Sequence, residues 1–259
     1  MNRIAARFEE LKKQGRKGLV GYLTAGDPDV ETSERDIRAA ISGGVDVLEL
    51  GVPFSDPTSD GPTIQAAAHR ALAAGMTLDK VFAMVRRLRS DTDVPIVLFG
   101  YANPFFRRGY ERTCRDAAAA GVDGMLVVDL PFEEAEELRA HMQPCGLCFI
   151  PLIAPTTSED RAAAILGRAE GFVYYIMVTG VTGARKDTAP DIAEHVAPLR
   201  RYTNLPIAVG FGVGSGAQAR LAAASADAVV VGSALVGAAR EGRLQDLVLE
   251  LRSALDDPK

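Results

Sequence analysis

The chain has 259 residues, 47% of them hydrophobic and 24% charged, a composition ordinary for a globular protein of one large or two small domains. Its net charge is −5, and no lysine- or arginine-rich block flanked by aromatics points to nucleic acid. No apolar run is long enough to span a bilayer and the charged start MNRIAARFEELKKQGRK is unlike a secretion signal, so a cytoplasmic protein is expected.

The opening segment IAARFEELKKQ (4–14) reads as an extra helix that closes the N-terminal end of the fold. Short apolar, β-branched runs then alternate with helical stretches. The runs are GLVGYLT (18–24), VDVLELG (45–51), VPIVLFGY (94–101), VDGMLVVD (122–129), LCFIPLI (147–153), FVYYIMV (172–178), LPIAVG (205–210) and ADAVVVG (226–232). Most are nearly continuous in hydrophobicity, as strands buried on both faces of a parallel sheet must be. Between them, stretches such as EEAEELRAHM and SEDRAAAILGRA place apolar residues at helical spacing. No Gly/Ser- or Pro-rich linker divides residues 1–259, so one domain is expected. Eight strand–helix units in this length fit an α/β fold of the (β/α)8 TIM-barrel kind, with the extra N-terminal helix; a doubly wound sheet usually has fewer strands. The longest insertion, 52–93, follows the second run and holds an acidic loop and helical sequence. In such a barrel the C-terminal strand ends and the loops after them carry the chemistry.

The second run ends in a carboxylate. In VDVLELG, Val45, Val47 and Glu49 share one face, and Asp46, Leu48 and Leu50 the other. Neither face of a barrel strand meets bulk water, so Glu49 is costly there unless paired or protonated. Burial raises a carboxyl pKa toward neutrality, which suits a general acid or base. A salt-bridged Glu, or one reaching solvent at the strand end, explains the position equally well. Asp60 precedes Gly61-Pro62 and would serve as the cap of the helix TIQAAAHRAL as readily as in catalysis. Asp56-Pro57 reads locally as a turn.

The loops after the sixth, seventh and eighth runs read TGVTGARKD, GFGVGSGAQ and GSALVGAAR. Glycines there let backbone N–H groups approach an anion, and a helix N-terminus adds a favourable dipole. Three such loops in succession favour a phosphate site over simple turns. GVGSGA (212–217) also fits a dinucleotide pattern, but the next strand ends VVVGS without the acid that a ribose needs, so NAD is not expected. Cys145-Gly-Leu-Cys148 has zinc or redox spacing but no second ligand pair, and Cys148 opens an apolar run as a small hydrophobe would. None of Lys12, Lys13, Lys17, Lys80, Lys186 and Lys259 lies inside a strand, and His69, His141 and His195 fall in helical patterns. Imine and histidine–metal aldolase mechanisms are therefore disfavoured, and no metal site is expected. Carboxylate acid–base catalysis on a phosphorylated substrate remains.

LELGVPFSDPTSDGPTIQ resembles the signature of the tryptophan synthase alpha subunit family, as do YLTAGDP (22–28), GYANPFF (100–106), GVDGMLVVDLP (121–131), APTT (154–157), YYIMVTGVTGAR (174–185), VGFGV (209–213) and VVVGSALV (229–236). The resemblance spans nearly the whole chain. It implies retro-aldol cleavage of indole-3-glycerol phosphate to indole and glyceraldehyde 3-phosphate, without metal or cofactor. By resemblance Glu49 shuttles protons, Asp60 balances positive charge on the indole nitrogen, and Tyr174 stands at the position of an active-site tyrosine. Tyr22, Phe99, Leu126 and Phe211 would wall the indole pocket, with Thr24 and Asp129 near the strand ends. Thr182 would meet Asp60 when its loop closes. Gly183, Gly212, Gly232 and Ser233 match phosphate-binding positions. The implied partner is a pyridoxal-phosphate beta subunit in an alpha2-beta2 heterotetramer, contacted through Pro53, Asp56, Asn103 and Pro104. Thr58, Ser59, Met177 and Gly214 depart from the family's usual residues, without removing a catalytic group. Two rival readings are a lyase that works alone and a barrel that binds phosphate only to activate a partner.

Overall fold

The computed structural model describes residues 2–176, 192–210 and 212–257. Thr182, Gly183 and Phe211, with Met177, lie outside the described residues. Within them, strands and helices alternate from β1 (Gly18–Thr24), α2 (Val30–Gly43) and β2 (Val47–Gly51) to the last strand, β9 (Ala228–Val231). The long insertion after β2 forms α3 (Pro62–Ala73) and α4 (Leu78–Leu88). The third strand, β3 (Ile96–Gly100), is likewise followed by two helices, α5 (Ala102–Arg108) and α6 (Tyr110–Ala120). Helix starts are set by short polar caps: Asp29 accepts from Thr32 N and Thr77 from Lys80 N. Gly44, at φ +112°, ends α2 in the left-handed conformation that a side chain would resist.

All pairings are parallel, in the order β5-β4-β3-β2-β1-β9-β8-β7-β6, with β4 at Gly124–Val127, β7 at Val173–Ile176 and β8 at Ile207–Gly210. The outermost two, β5 (Cys148–Phe149) and β6 (Leu152–Ile153), come from one run. The expected single strand over 147–153 is thus split. Its first half pairs with β4 and its second with β7, so the ring of eight barrel strands closes through it. Pro151 has no N–H to donate and ends the ladder toward β4, after Ile150 N has reached Met125 O at 2.9 Å.

Strand pleating sorts the apolar residues into two cores. Leu48, Leu50, Ile96, Leu98, Val209 and Val229 pack outward under the helices, while Val20, Val47, Val97, Leu126, Ala208 and Val230 fill the barrel. The first helix, α1 (Arg3–Lys13), closes the N-terminal end as expected. Its Ile4, Phe8 and Leu11 join the inner core, and Phe8 meets Phe172 at a ring-centroid distance of 5.6 Å. That end is also knitted by acids placed just before alternate barrel strands. Asp46, Asp123, Glu170 and Asp227 accept the backbone N–H of Leu19, Ile96, Phe149 and Ile207, each at the start of the preceding strand. Asp46 also takes Arg7 at 2.6 Å and Arg252 at 2.7 Å, joining α1 and α12 (Leu244–Asp256) to the barrel. Breaking such a buried pair from one side costs about 3–5 kcal/mol. The N-terminal face is therefore the stabilising face, and the opposite mouth is left for chemistry. No helix among the described residues is long and apolar enough to cross a membrane.

Candidate active site

The pleat that turns Leu48 and Leu50 outward turns Val47 and Glu49 into the barrel. Glu49 stands opposite Tyr22 of β1 and Val97 of β3 and is only 1% exposed. Its Oε1 makes no hydrogen bond to any described residue. Among the described residues no cation pairs with Glu49, and at this burial it does not reach solvent at the strand end. Burial alone pushes its carboxyl from 4.5 up to about 8. A buried polar atom left without a protein partner is rare and marks a position kept for something other than stability.

Asp60 is also buried, at 5% exposure, and burial raises its carboxyl from 3.8 to about 6 despite a hydrogen bond from Tyr101 that acts the other way. It does not cap the helix that follows. The cap of α3 is Gly61, with Pro62 in the first turn and no side-chain hydrogen bond. Proline fixes the helical start by itself, which leaves the Asp60 carboxylate free to accept the Tyr101 hydroxyl at 3.0 Å. The Asp56-Pro57 turn is present: Thr58 N reaches Asp56 O and Asp60 N reaches Pro57 O. Gln65 of α3 ties the loop down through Pro57 O and Asp60 O, the latter at 2.9 Å.

The two carboxylates act on the same pair of tyrosines. Burial and then their charges raise the hydroxyl pKa of both Tyr22 and Tyr174, the latter on β7. Tyr22 packs edge-on against Phe99 with ring centroids 5.1 Å apart, and its hydroxyl lies 3.3 Å from that of Thr24. Leu126 is fully buried in the same interior. Two strand glycines make room for the tyrosines. A Cβ on Gly51 would fall 2.5 Å from Tyr22 Cζ, and one on Gly210 would fall 2.6 Å from the Tyr174 hydroxyl. Tyr22, Thr24, Phe99, Leu126 and Tyr174 thus gather with Glu49 and Asp60. Asp129 does not join them. It is exposed, and its carboxylate accepts Ala102 N at 2.7 Å, tethering the start of α5.

On the Tyr22 side of the mouth, α11 (Ser233–Arg240) begins at Gly232 with no side-chain cap. Its first backbone N–H groups and its dipole suit an anion. Gly212, at φ +80°, turns the chain after β8, and Ser215 caps α10 (Gly216–Ala223), so Gly212 and Gly232–Ser233 both stand where adjacent strands end. Of the proposed contact positions, Asp56 and Asn103 are exposed and Pro53 and Pro104 half-buried; Asn103 and Pro104 lie on α5. Cys148 opens β5, and all three cysteines are free. Sequence reasoning missed Tyr101 as a site residue. Its signal was its place, one residue past the C-terminal end of a barrel strand.

A barrel with two pKa-raised carboxylates toward its mouth and an uncapped helix N-terminus beside them has the architecture of an acid–base enzyme. The family model for "Tryptophan synthase alpha chain" matches residues 8–253. The tryptophan synthase alpha chain of Geobacter sulfurreducens is 53% identical over 236 residues, covering 91% of this chain and 89% of that protein. That of Citrifermentans bemidjiense is 52% identical over 236 residues, covering 91% and 88%. A structure of tryptophan synthase from Mycobacterium tuberculosis superposes with a TM-score of 0.93 at 38% identity, covering 98% of each chain. The chain belongs to the tryptophan synthase alpha chain family.

Proposed function

We propose that Glu49 and Asp60 are the pair with which this chain performs the alpha reaction of tryptophan synthase. That reaction cleaves indole-3-glycerol phosphate to indole and glyceraldehyde 3-phosphate, and the indole passes to the beta chain. Breaking the bond between indole C3 and the glycerol carbon needs C3 to gain a proton and the adjacent hydroxyl to lose one. Glu49 enters as the neutral acid, because its carboxyl is pushed up to about 8. It protonates C3 and becomes a carboxylate. The ring nitrogen then carries positive charge, which ionised Asp60 balances. The new Glu49 carboxylate takes the hydroxyl proton as the carbon–carbon bond breaks. The bonding pair returns to the ring and restores indole, the hydroxyl oxygen becomes the aldehyde, and Glu49 is again neutral. Acid and base are one residue, so the cycle closes without a metal or organic cofactor in this chain; pyridoxal phosphate belongs to the partner.

Tyr22, Phe99, Leu126 and Tyr174 supply an apolar slot for the indole, with Thr24, Thr182 and Phe211 as further contacts and Asp129 holding the rim. Gly212, Gly232 and Ser233, with Gly183, receive the phosphate. Pro53, Asp56, Asn103 and Pro104 face the beta chain. The whole of residues 1–259 acts as one barrel domain in the cytoplasm. The observation that carries this reading is Glu49, buried inside the barrel with Oε1 unpartnered among the described residues. Indole release from indole-3-glycerol phosphate by the purified chain tests it. Slow release alone and much faster release with a beta chain are expected. Fast release unchanged by beta would make the chain a free-standing lyase. No indole in either case would overturn the assignment.

A further inference from the structure

We propose that Tyr101 is a positioning residue for Asp60: its hydroxyl accepts the N–H of Ser59 and donates to Asp60 Oδ2, so one side chain sets both the backbone and the carboxylate. Both hydrogen bonds are 3.0 Å long. The phenol is 3% exposed, and its ring packs against Phe54 with centroids 5.3 Å apart. The side chain therefore grips the acidic loop twice, at Phe54 near its beginning and at Ser59-Asp60 at its end. Tyr101 itself is not part of that loop. It follows Gly100, the last residue of β3, and is the N-cap residue of α5. The next backbone N–H, on Ala102, is held by Asp129 at 2.7 Å. The grip thus originates on the barrel wall, which suits a group that must hold a charge in place.

The chemistry explains why such a grip matters. Asp60 has to be ionised when positive charge develops on the substrate, yet burial disfavours that ion. A hydroxyl donating to a carboxylate favours the charged form. Among the described residues, the titratable groups that sense this carboxyl are Tyr22 from β1, Tyr174 from β7 and Tyr101 before α5. Tyr101 is the one of these whose hydrogen bond to Asp60 counteracts burial.

The inference rests on the role given to Asp60, and the test separates the two. Tyr101→Phe, Phe54→Leu and Asp60→Asn are assayed as full chains with a beta chain, and the Asp60 carboxyl is titrated by carbon-13 NMR. Tyr101→Phe is expected to lower kcat/KM about tenfold, chiefly through kcat, and to move the Asp60 titration upward by about one pH unit. Phe54→Leu keeps the hydroxyl and is expected to leave that titration in place. Tyr101→3-fluorotyrosine, a more acidic phenol in the same volume, should move it downward, a shift that mere packing would not cause. An unmoved titration in Tyr101→Phe overturns the inference, whether the variant is fully active or loses activity by melting earlier. Asp60→Asn at the wild-type rate would instead overturn the role of Asp60.

Discussion

Glu49→Gln is expected to abolish turnover, by about 10⁴-fold, while binding of indole-3-glycerol phosphate stays nearly intact. One group performs both proton transfers, so the amide removes the acid and the base together. General acid–base contributions of about 10²–10⁴ each way place the loss at the upper end. Binding survives because Gln has the shape of the neutral carboxyl that burial already favours. The same substitution should raise stability at neutral and alkaline pH. Below pH 4.5 the carboxyl is neutral in folded and unfolded chains alike, and it contributes no difference. Between 4.5 and about 8 the unfolded chain releases a proton that the folded chain retains, so the wild type loses stability as pH rises through that window. Glutamine has no proton to lose. A melting curve of the variant should thus lie above the wild type at pH 8 and meet it near pH 4. A variant that turns over at the wild-type rate would refute the proton-transfer role.

Asp60→Asn is expected to lower kcat by about 10²–10³-fold, the usual worth of a preorganised electrostatic group. The amide still accepts a hydrogen bond but cannot balance a full positive charge on the indole nitrogen. The loss should fall on kcat more than on KM, because that charge exists only after C3 is protonated. The two carboxyls also divide the pH scale between them. The active form has Asp60 ionised and Glu49 neutral, which holds between about 6 and about 8. A steady-state comparison of the variant across this range checks both statements. A raised KM with kcat unchanged would point to a binding role instead.

Much of this was legible in the residues, and the parts that were not have physical reasons. Nearly continuous apolar runs announced a parallel barrel because strands covered on both faces carry no polar alternation. The position of Glu49 was legible because a carboxylate in such a run has no cheap explanation. Its actual burial was not, since a salt bridge would look the same in sequence. Asp60 illustrates the converse. Asp before Gly-Pro fits a cap by every local rule, and only the tertiary contact with Tyr101, 41 residues away in sequence, shows where its carboxylate goes. Tyr101 stayed hidden for the same reason, as did the exposed placement of Asp129. The split of the run at 147–153 follows from Pro151, whose missing donor was visible but whose neighbour was not. The cluster of Asp46, Asp123, Glu170 and Asp227 reads in sequence as scattered acids. It becomes a repeat only when each is seen on the N–H of the preceding strand.

The most direct test of the account is the titration of the Glu49 carboxyl itself, by carbon-13 NMR on the ligand-free chain, with Glu49→Gln to assign the resonance. A rate profile alone would mix in the substrate phosphate, which titrates near 6. The account predicts a midpoint of about 8, so that Glu49 is a neutral acid when substrate binds. A midpoint near the ordinary carboxyl value of 4.5 would contradict it, because an already ionised Glu49 has no proton to give to indole C3.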